Sequence, residues 1–124
     1  MKSVAAVVAL AAVLFAGSVH AMTVQEFLDE AADIPRNPTA MLRSDTRRLM
    51  NEVQQSFAVL RREQTEARAA GRAPATCMPE RVSLNPEHLL ARFQAIPAPR
   101  RNISVTQALR EWMAERHPCP ANSA

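Results

Sequence analysis

Apolar residues recur at helical intervals in four segments of the chain. No segment alternates apolar and polar residues over a length that would favour a strand. The first segment opens with Thr23 and Glu26 in the spacing of a capping box, and Pro35 prevents its continuation. We therefore predict a short first helix with an apolar face of Val24, Phe27, Leu28 and Ala31.

The second segment is the longest. Asn37 is a candidate N-cap with Pro38 at the first helical position, and no proline or glycine interrupts the chain from there to Ala70. Gly71 can adopt the left-handed conformation that ends a helix. We predict one long helix whose buried stripe comprises Leu42, Leu49, Val53, Phe57 and Leu60, and the polar residues, Gln64 among them, are predicted to lie mostly off that stripe.

Two shorter helices follow a loop over residues 72–84. Asn85 and Pro86 predict the start of the third helix, and Ser104 predicts the start of the fourth, which Pro118 ends. Their predicted apolar faces are Leu89, Leu90, Phe93 and Ile96 in the third helix, and Val105, Ala108, Leu109, Trp112 and Met113 in the fourth. The predicted fold class is all-α, a small four-helix domain with a long second helix as its spine.

Residues 1–21 have the three parts of a secretory signal peptide. Lys2 supplies the positive charge, residues 4–17 form an uncharged run, and small residues precede the predicted cleavage after Ala21. The run is too short to cross a bilayer, which disfavours an uncleaved membrane anchor. We predict one exported, soluble, periplasmic domain over residues 22–124, with no stable membrane insertion after cleavage.

Export changes the interpretation of the two cysteines. In an oxidising compartment Cys77 and Cys119 are predicted to form a disulfide. The alternative is a zinc site that adds His88 and His117 to the two thiols. That spacing matches no zinc motif, so we predict no metal and no cofactor.

The charge balance of the domain argues against nucleic-acid binding. Lys2 is the only lysine, so the exported domain has 14 arginines against 12 acidic residues, which is close to balance. The four aromatic residues of the domain lie on predicted core faces, and nucleic-acid binding is therefore disfavoured.

The predicted surface for an acidic protein partner consists of three arginine doublets, Arg47 with Arg48, Arg61 with Arg62, and Arg100 with Arg101. The alternative for each doublet is helix solubility and pairing with nearby glutamates.

Catalysis has little support in the sequence. His88 and His117 are the only histidines of the predicted domain, and no nucleophile signature accompanies either of them. We predict a small binding protein and no enzyme.

The order of these features resembles a known family. A signal peptide, a long helix ending in "ARAAGRAPATCMP", the segment "LNPEHLLARF" and a final "VTQALREWMAERHPCP" are similar to the Rap/Tai-type immunity proteins. These are small helical periplasmic proteins associated with type VI secretion, and their architecture is similar to that of the HdeA acid-stress chaperones. The resemblance implies that the protein binds and occludes a peptidoglycan-cleaving effector, with a homodimer as one form of the binding unit.

Two other functions compete with immunity. One is a periplasmic chaperone of the HdeA class, which acid would open through repulsion among the arginines once the carboxylates are neutral. The other is an exported hydrolase that depends on His88 or His117, which the sequence disfavours.

Overall fold

The structure is a computed structural model that describes residues 21–120, so the predicted signal peptide, apart from Ala21, lies outside the described residues. The predicted all-α class is confirmed: four α-helices and no strand occur in the described part. Its only β-type pairing is an isolated bridge between Thr23 and Ser104. No helix in residues 21–120 is long and apolar enough to cross a membrane.

The elements are α1 (Val24–Ala32), a 3₁₀ turn (Pro38–Leu42), α2 (Ser44–Ala69), α3 (Pro86–Ala95), a second 3₁₀ turn (Ala98–Arg100) and α4 (Val105–Arg116).

Three helices begin where their capping residues predict. The Thr23 side chain accepts from the backbone N–H of Glu26, and the Glu26 carboxylate accepts from the backbone N–H of Thr23, which completes the capping box of α1. The side chains of Asn85 and Ser104 accept the corresponding bonds at α3 and α4. These bonds satisfy N–H groups that the first turn of a helix leaves without partners.

The long helix starts later than its pattern predicts. Asn37 does cap a helical segment that starts with Pro38, but this segment is the 3₁₀ turn that ends at Leu42. The backbone of Arg43, which follows the turn, is extended. The continuous helix α2 starts at Ser44. Side chains of Ser and Asp bond to nearby backbone and favour helix starts over helix interiors, and Asp45 does this by accepting from the N–H of Thr46.

This break also corrects the predicted stripe. Leu49 and Leu60 are buried and Val53 and Phe57 are partly buried, as the period predicts, but Leu42 is 80% exposed. Leu42 lies before the break, so the periodicity of α2 does not apply to it.

The core lies where α2 packs along α4 and α1 packs against α2 and α3. At its centre the rings of Phe27 and Phe93 meet edge to face, with centroids 5.1 Å apart. The largest fully buried side chains are Phe93, Leu60, Leu109, Met113, Val24, Val105 and Ser56.

A glycine cap ends α2, and a disulfide joins the loop that follows to the end of α4. Gly71 has a φ of +69°, and the N–H of Arg72 bonds to the carbonyl of Ala67, which ends α2 in a Schellman motif, as Gly71 predicts. The predicted disulfide between Cys77 and Cys119 is present, with a Cα–Cα distance of 4.9 Å. The loop over residues 72–84 is therefore anchored to the end of the last helix.

A buried glutamine holds the same loop, contrary to the prediction that Gln64 lies off the buried face. Gln64 is only 8% exposed. Its Oε1 accepts from the backbone N–H of Met78 at 2.9 Å and its Nε2 donates to the carbonyl of Met78 at 3.2 Å, while the hydroxyl of Thr76 also donates to Oε1. The side-chain amide of Gln64 thus supplies the hydrogen-bond partners that a helix or a sheet would otherwise give to the buried backbone of Met78.

Candidate binding groove

An open apolar groove lies between α1, the first 3₁₀ turn, the start of α2 and α3. Its volume is about 1030 Å³, slightly above the range of about 300–1,000 Å³ for ligand pockets. Phe27, Leu49 and Leu89 are buried residues at its base. The partly buried apolar residues that line it are Leu28, Ala31, Ile34, Val53, Leu84 and Leu90.

The local sequence explains why the groove is open. α1 ends at Ala32 and Pro35 follows, so the chain leaves the helix and forms the 3₁₀ turn at the edge of the groove. The extended backbone at Arg43 then separates that turn from α2. A single helix from Pro38 onward would lack this change of direction.

Methionines form the outer edge of the groove. Met41 is 59% exposed and Met50 is 44% exposed, and both line it. Together with the neighbouring Leu42 they are the large hydrophobic residues that the described part leaves exposed. Methionine side chains are flexible and polarizable, so they adapt to different apolar surfaces. We refer to Met41, Leu42 and Met50 as the exposed apolar edge.

Seven polar or charged side chains line the groove. Five of them belong to exposed residues, Arg36, Asn37, Gln54, Glu87 and Gln94. The hydroxyl of Thr46 is buried and has no hydrogen-bond partner among the described residues. The guanidinium of Arg101 is already bonded to the carbonyls of Ile96 at 2.9 Å and Gln94 at 2.8 Å. The lining is therefore mainly apolar, and its polar side chains belong mostly to exposed residues.

The predicted arginine surface is spread over several environments. Arg48 lies 3.6 Å from Glu30 on α1, and Arg61 donates to the carbonyl of Pro79. At the second 3₁₀ turn Arg100 pairs with Glu111 on α4 at 2.9 Å, and Arg101 is bonded to carbonyls as described above. Arg47 and Arg62 are exposed on α2 and form no ion pair within residues 21–120. Only Arg101 of the six lines the groove, and a partner surface on the doublets stays a prediction.

Two ion pairs attach α4 to the helices α2 and α3. Arg110 donates to both carboxylate oxygens of Glu63 on α2, at 3.0 and 2.6 Å, and Arg92 on α3 does the same with Glu115, at 2.7 and 2.9 Å. Hydrogen bonding to the facing arginine lowers the pKa of Glu63 and of Glu115. Both pairs thus depend on charged carboxylates.

The histidines and cysteines do not come together as a chemical site. His88 is exposed in the first turn of α3, whereas His117 follows α4, with its carbonyl accepting from the N–H of Cys77 at 2.9 Å. The Nε2 of His117 is buried without a hydrogen-bond partner among the described residues. Because both thiols are in the disulfide, neither can be a thiolate ligand, and residues 21–120 contain no cluster of three potential metal-binding side chains.

Comparison with protein-family profiles, with curated proteins and with solved structures finds no match to this chain.

Proposed function

We propose that this chain is an exported, non-enzymatic binding protein that receives an apolar segment of a protein partner in its groove. The observation that supports this most directly is the groove itself, about 1030 Å³ in volume, with Met41 and Met50 exposed at its edge. Contiguous exposed apolar surface on a small domain is typical of interaction sites.

An amphipathic helix is the partner element that fits best. Helix-in-groove recognition uses apolar anchors at positions i, i+3 or i+4 and i+7, and it needs few polar contacts inside the groove. Small-molecule sites usually contain several convergent polar groups. Here apolar residues form most of the lining, the Arg101 guanidinium is bonded to carbonyls of its own chain, and the Thr46 hydroxyl is buried.

The resemblance to the Rap/Tai-type immunity proteins supports a specific partner, a peptidoglycan-cleaving effector. The disulfide is consistent with an oxidising compartment, where such an effector acts. Binding at the groove then blocks the effector by occlusion, so immunity needs no catalytic residue in this chain.

Site-specific photocrosslinking tests this proposal. A photoreactive phenylalanine analogue is placed at Met50, on the edge of the groove, and separately at Ala58, which is exposed on the same helix outside the groove. Cells of the source organism are irradiated while they compete with neighbouring strains. We expect a cell-wall hydrolase to crosslink to position 50 and not to position 58.

The second step measures inhibition by the purified protein. Wild-type protein should block the captured hydrolase at a stoichiometric ratio, whereas Met50→Asp should weaken inhibition at least about tenfold, because it places a charge against an apolar contact. Ala58→Asp serves as the matched control and should inhibit normally. Equal inhibition by both variants would contradict binding at the groove, and failure to inhibit any captured hydrolase would contradict the immunity function.

A second candidate function is that of an acid-activated chaperone, and the ion pairs of α4 favour it. Acid removes the charge of Glu63 and Glu115, so the ion pairs from α4 to α2 and to α3 are lost together. With all carboxylates neutral, 14 arginines and two histidines remain positive in the predicted domain. This self-repulsion opens a compact state, while the disulfide keeps α4 attached to the loop over residues 72–84.

This second candidate makes a separate prediction. At pH 2 the protein should bind a fluorescent apolar dye and suppress aggregation of an acid-sensitive client, and at pH 7 it should not suppress that aggregation. Acid-treated protein that leaves client aggregation unchanged would exclude the chaperone function and would leave the immunity proposal intact.

A further inference from the structure

A second cavity lies on the other side of α3 from the groove. It is a cleft of about 560 Å³ between α3, α4 and the end of the loop over residues 72–84. Its lining residues are Ser83, Leu84, Asn85, His88, Ala91, Trp112 and Arg116. Only Leu84 also lines the groove, so the two cavities are separate sites.

The cleft carries positive charge without an opposing acid. Arg116 and His88 line it, and no acidic residue does. Within residues 21–120 Arg116 has no carboxylate partner, and its Nη1 donates only to the carbonyl of Ser83, at 3.3 Å. The adjacent acid Glu115 is bonded to Arg92. A guanidinium that lacks a carboxylate partner is suited to bind an external carboxylate, since it can donate two parallel hydrogen bonds.

An aromatic surface lies beside this charge. Trp112 is partly buried on α4 and lines the cleft together with Leu84 and Ala91. Tryptophan offers a large contact area at a low cost in conformational entropy, and it commonly anchors ligands at interfaces. The cleft therefore combines a carboxylate-binding group with an apolar contact.

The loop at the cleft supplies unpaired backbone. Residues 81–84 alternate between exposed and partly buried, as a strand does, and their N–H groups have no hydrogen-bond partner within the described residues. A peptide in an extended conformation can pair with such a segment by main-chain hydrogen bonds. A sugar acid or a simple aromatic acid cannot use this feature.

We propose that the cleft binds the carboxyl-terminal end of a peptide chain. The terminal carboxylate is held by Arg116 with His88, an apolar side chain of the peptide lies against Trp112, and the peptide backbone pairs with residues 83–84. The site has its own ligand chemistry and does not depend on the partner proposed for the groove.

The test uses Trp112 as the reporter, because it is the only tryptophan of the chain. N-acetylated tripeptides ending in Phe, Leu or Ala are titrated to 10 mM, each as the free acid and as the C-terminal amide, against ¹⁵N-labelled protein. N-acetyl-phenylalanine is included as a simple acid. The indole N–H resonance of Trp112 should shift in a saturable way with the Phe or Leu free acids. The corresponding amides, and N-acetyl-phenylalanine, should bind at least about tenfold more weakly.

Three variants make the test specific. Arg116→Gln and His88→Ala should each weaken binding of the free acid, Arg116→Gln by at least about tenfold, and should abolish most of its preference over the amide. Arg62→Gln, which changes an exposed arginine on α2 outside the cleft, should bind as the wild type does. Equal affinity for acid and amide, tight binding of N-acetyl-phenylalanine, or no shift with any tripeptide would each overturn the proposal.

Discussion

The two ends of α2 differ in how firmly the rest of the chain holds them. At the tethered end, which comprises the second half of α2, the loop over residues 72–84 and α4, the chain is joined by a disulfide, a buried amide network and the Glu63–Arg110 pair. Ser56 adds a hydroxyl contact of 2.8 Å to Thr106 on α4. Covalent and polar links here supplement apolar packing.

At the open end, which comprises α1, the first 3₁₀ turn, the start of α2 and α3, the buried residues Phe27, Leu49 and Leu89 form the base of an apolar groove. The exposed apolar edge of Met41, Leu42 and Met50 belongs to this end. Exposed apolar surface of this kind is typical of interaction sites. The two ends therefore differ in cross-linking and exposure: one is held by covalent and polar links, and the other leaves apolar side chains uncovered.

Removal of the disulfide should have the largest effect. The bond closes a loop with a sequence separation of 42, so the double variant Cys77→Ser, Cys119→Ser should lose about 4 kcal/mol in the free energy of unfolding. Urea unfolding followed by circular dichroism measures the loss. Hydrogen exchange should increase most in the loop over residues 72–84 and at the end of α4, and an unchanged urea midpoint would show that the disulfide does not stabilise the tethered end.

Loss of the buried amide should have a smaller effect than loss of the disulfide. Gln64→Ala leaves the backbone N–H and carbonyl of Met78 without their partner, which should cost about 1–3 kcal/mol. Gln55→Ala is the matched control, since the same change occurs on the same helix at an exposed position. If both variants unfold at the same urea concentration, the amide network contributes nothing to the tethered end.

The sequence predicts the helices of this fold better than their attachments. Thr23, Asn85 and Ser104 act locally, because each cap bonds to a residue two or three positions away, so spacing alone identifies them. Gln64 differs because its partner, Met78, lies 14 residues away across a turn. Periodicity treats a polar residue as solvent-facing and cannot detect a buried amide that pairs with distant backbone.

The groove also lies beyond what periodicity can predict. It depends on the relative placement of α1, α3 and the 3₁₀ turn, and the continuous helix predicted from Pro38 would not form its edge. Two local signals were available in the sequence. Ser44 and Asp45 are typical of a helix start, and Met50 is a large apolar residue that lies off the predicted stripe.

Acid should weaken the tethered end through Glu63. Arg110 lowers the pKa of this carboxyl below its ordinary value of 4.5, so its contribution to stability is complete above about pH 4.5 and is lost as the pH falls through the lowered value. The two side chains are partly exposed, so Glu63→Gln should cost no more than about 1 kcal/mol at pH 7, and the difference from wild type should vanish in acid.

Urea unfolding at several pH values between 2 and 7 measures this difference. Glu66→Gln is the control, because Glu66 is an exposed glutamate on the same helix that forms no ion pair within the described residues. A gap between Glu63→Gln and wild type that persists at the lowest pH would contradict a contribution from the charged pair.

The smallest effect on stability is expected from a change at the exposed apolar edge. Leu42 is 80% exposed and Leu49 is buried, so the same substitution tests both environments. Leu49→Ser should destabilise the fold by about 3 kcal/mol or more, since it leaves a cavity and places a hydroxyl in the core. Leu42→Ser should change the free energy of unfolding by less than about 0.5 kcal/mol, as is usual at the surface.

Leu42→Ser should also reduce binding of a fluorescent apolar dye to the folded protein, because it removes part of the exposed apolar edge. If Leu42→Ser proved as destabilising as Leu49→Ser, the exposed edge would belong to the core, and the open end would have no apolar surface to offer a partner.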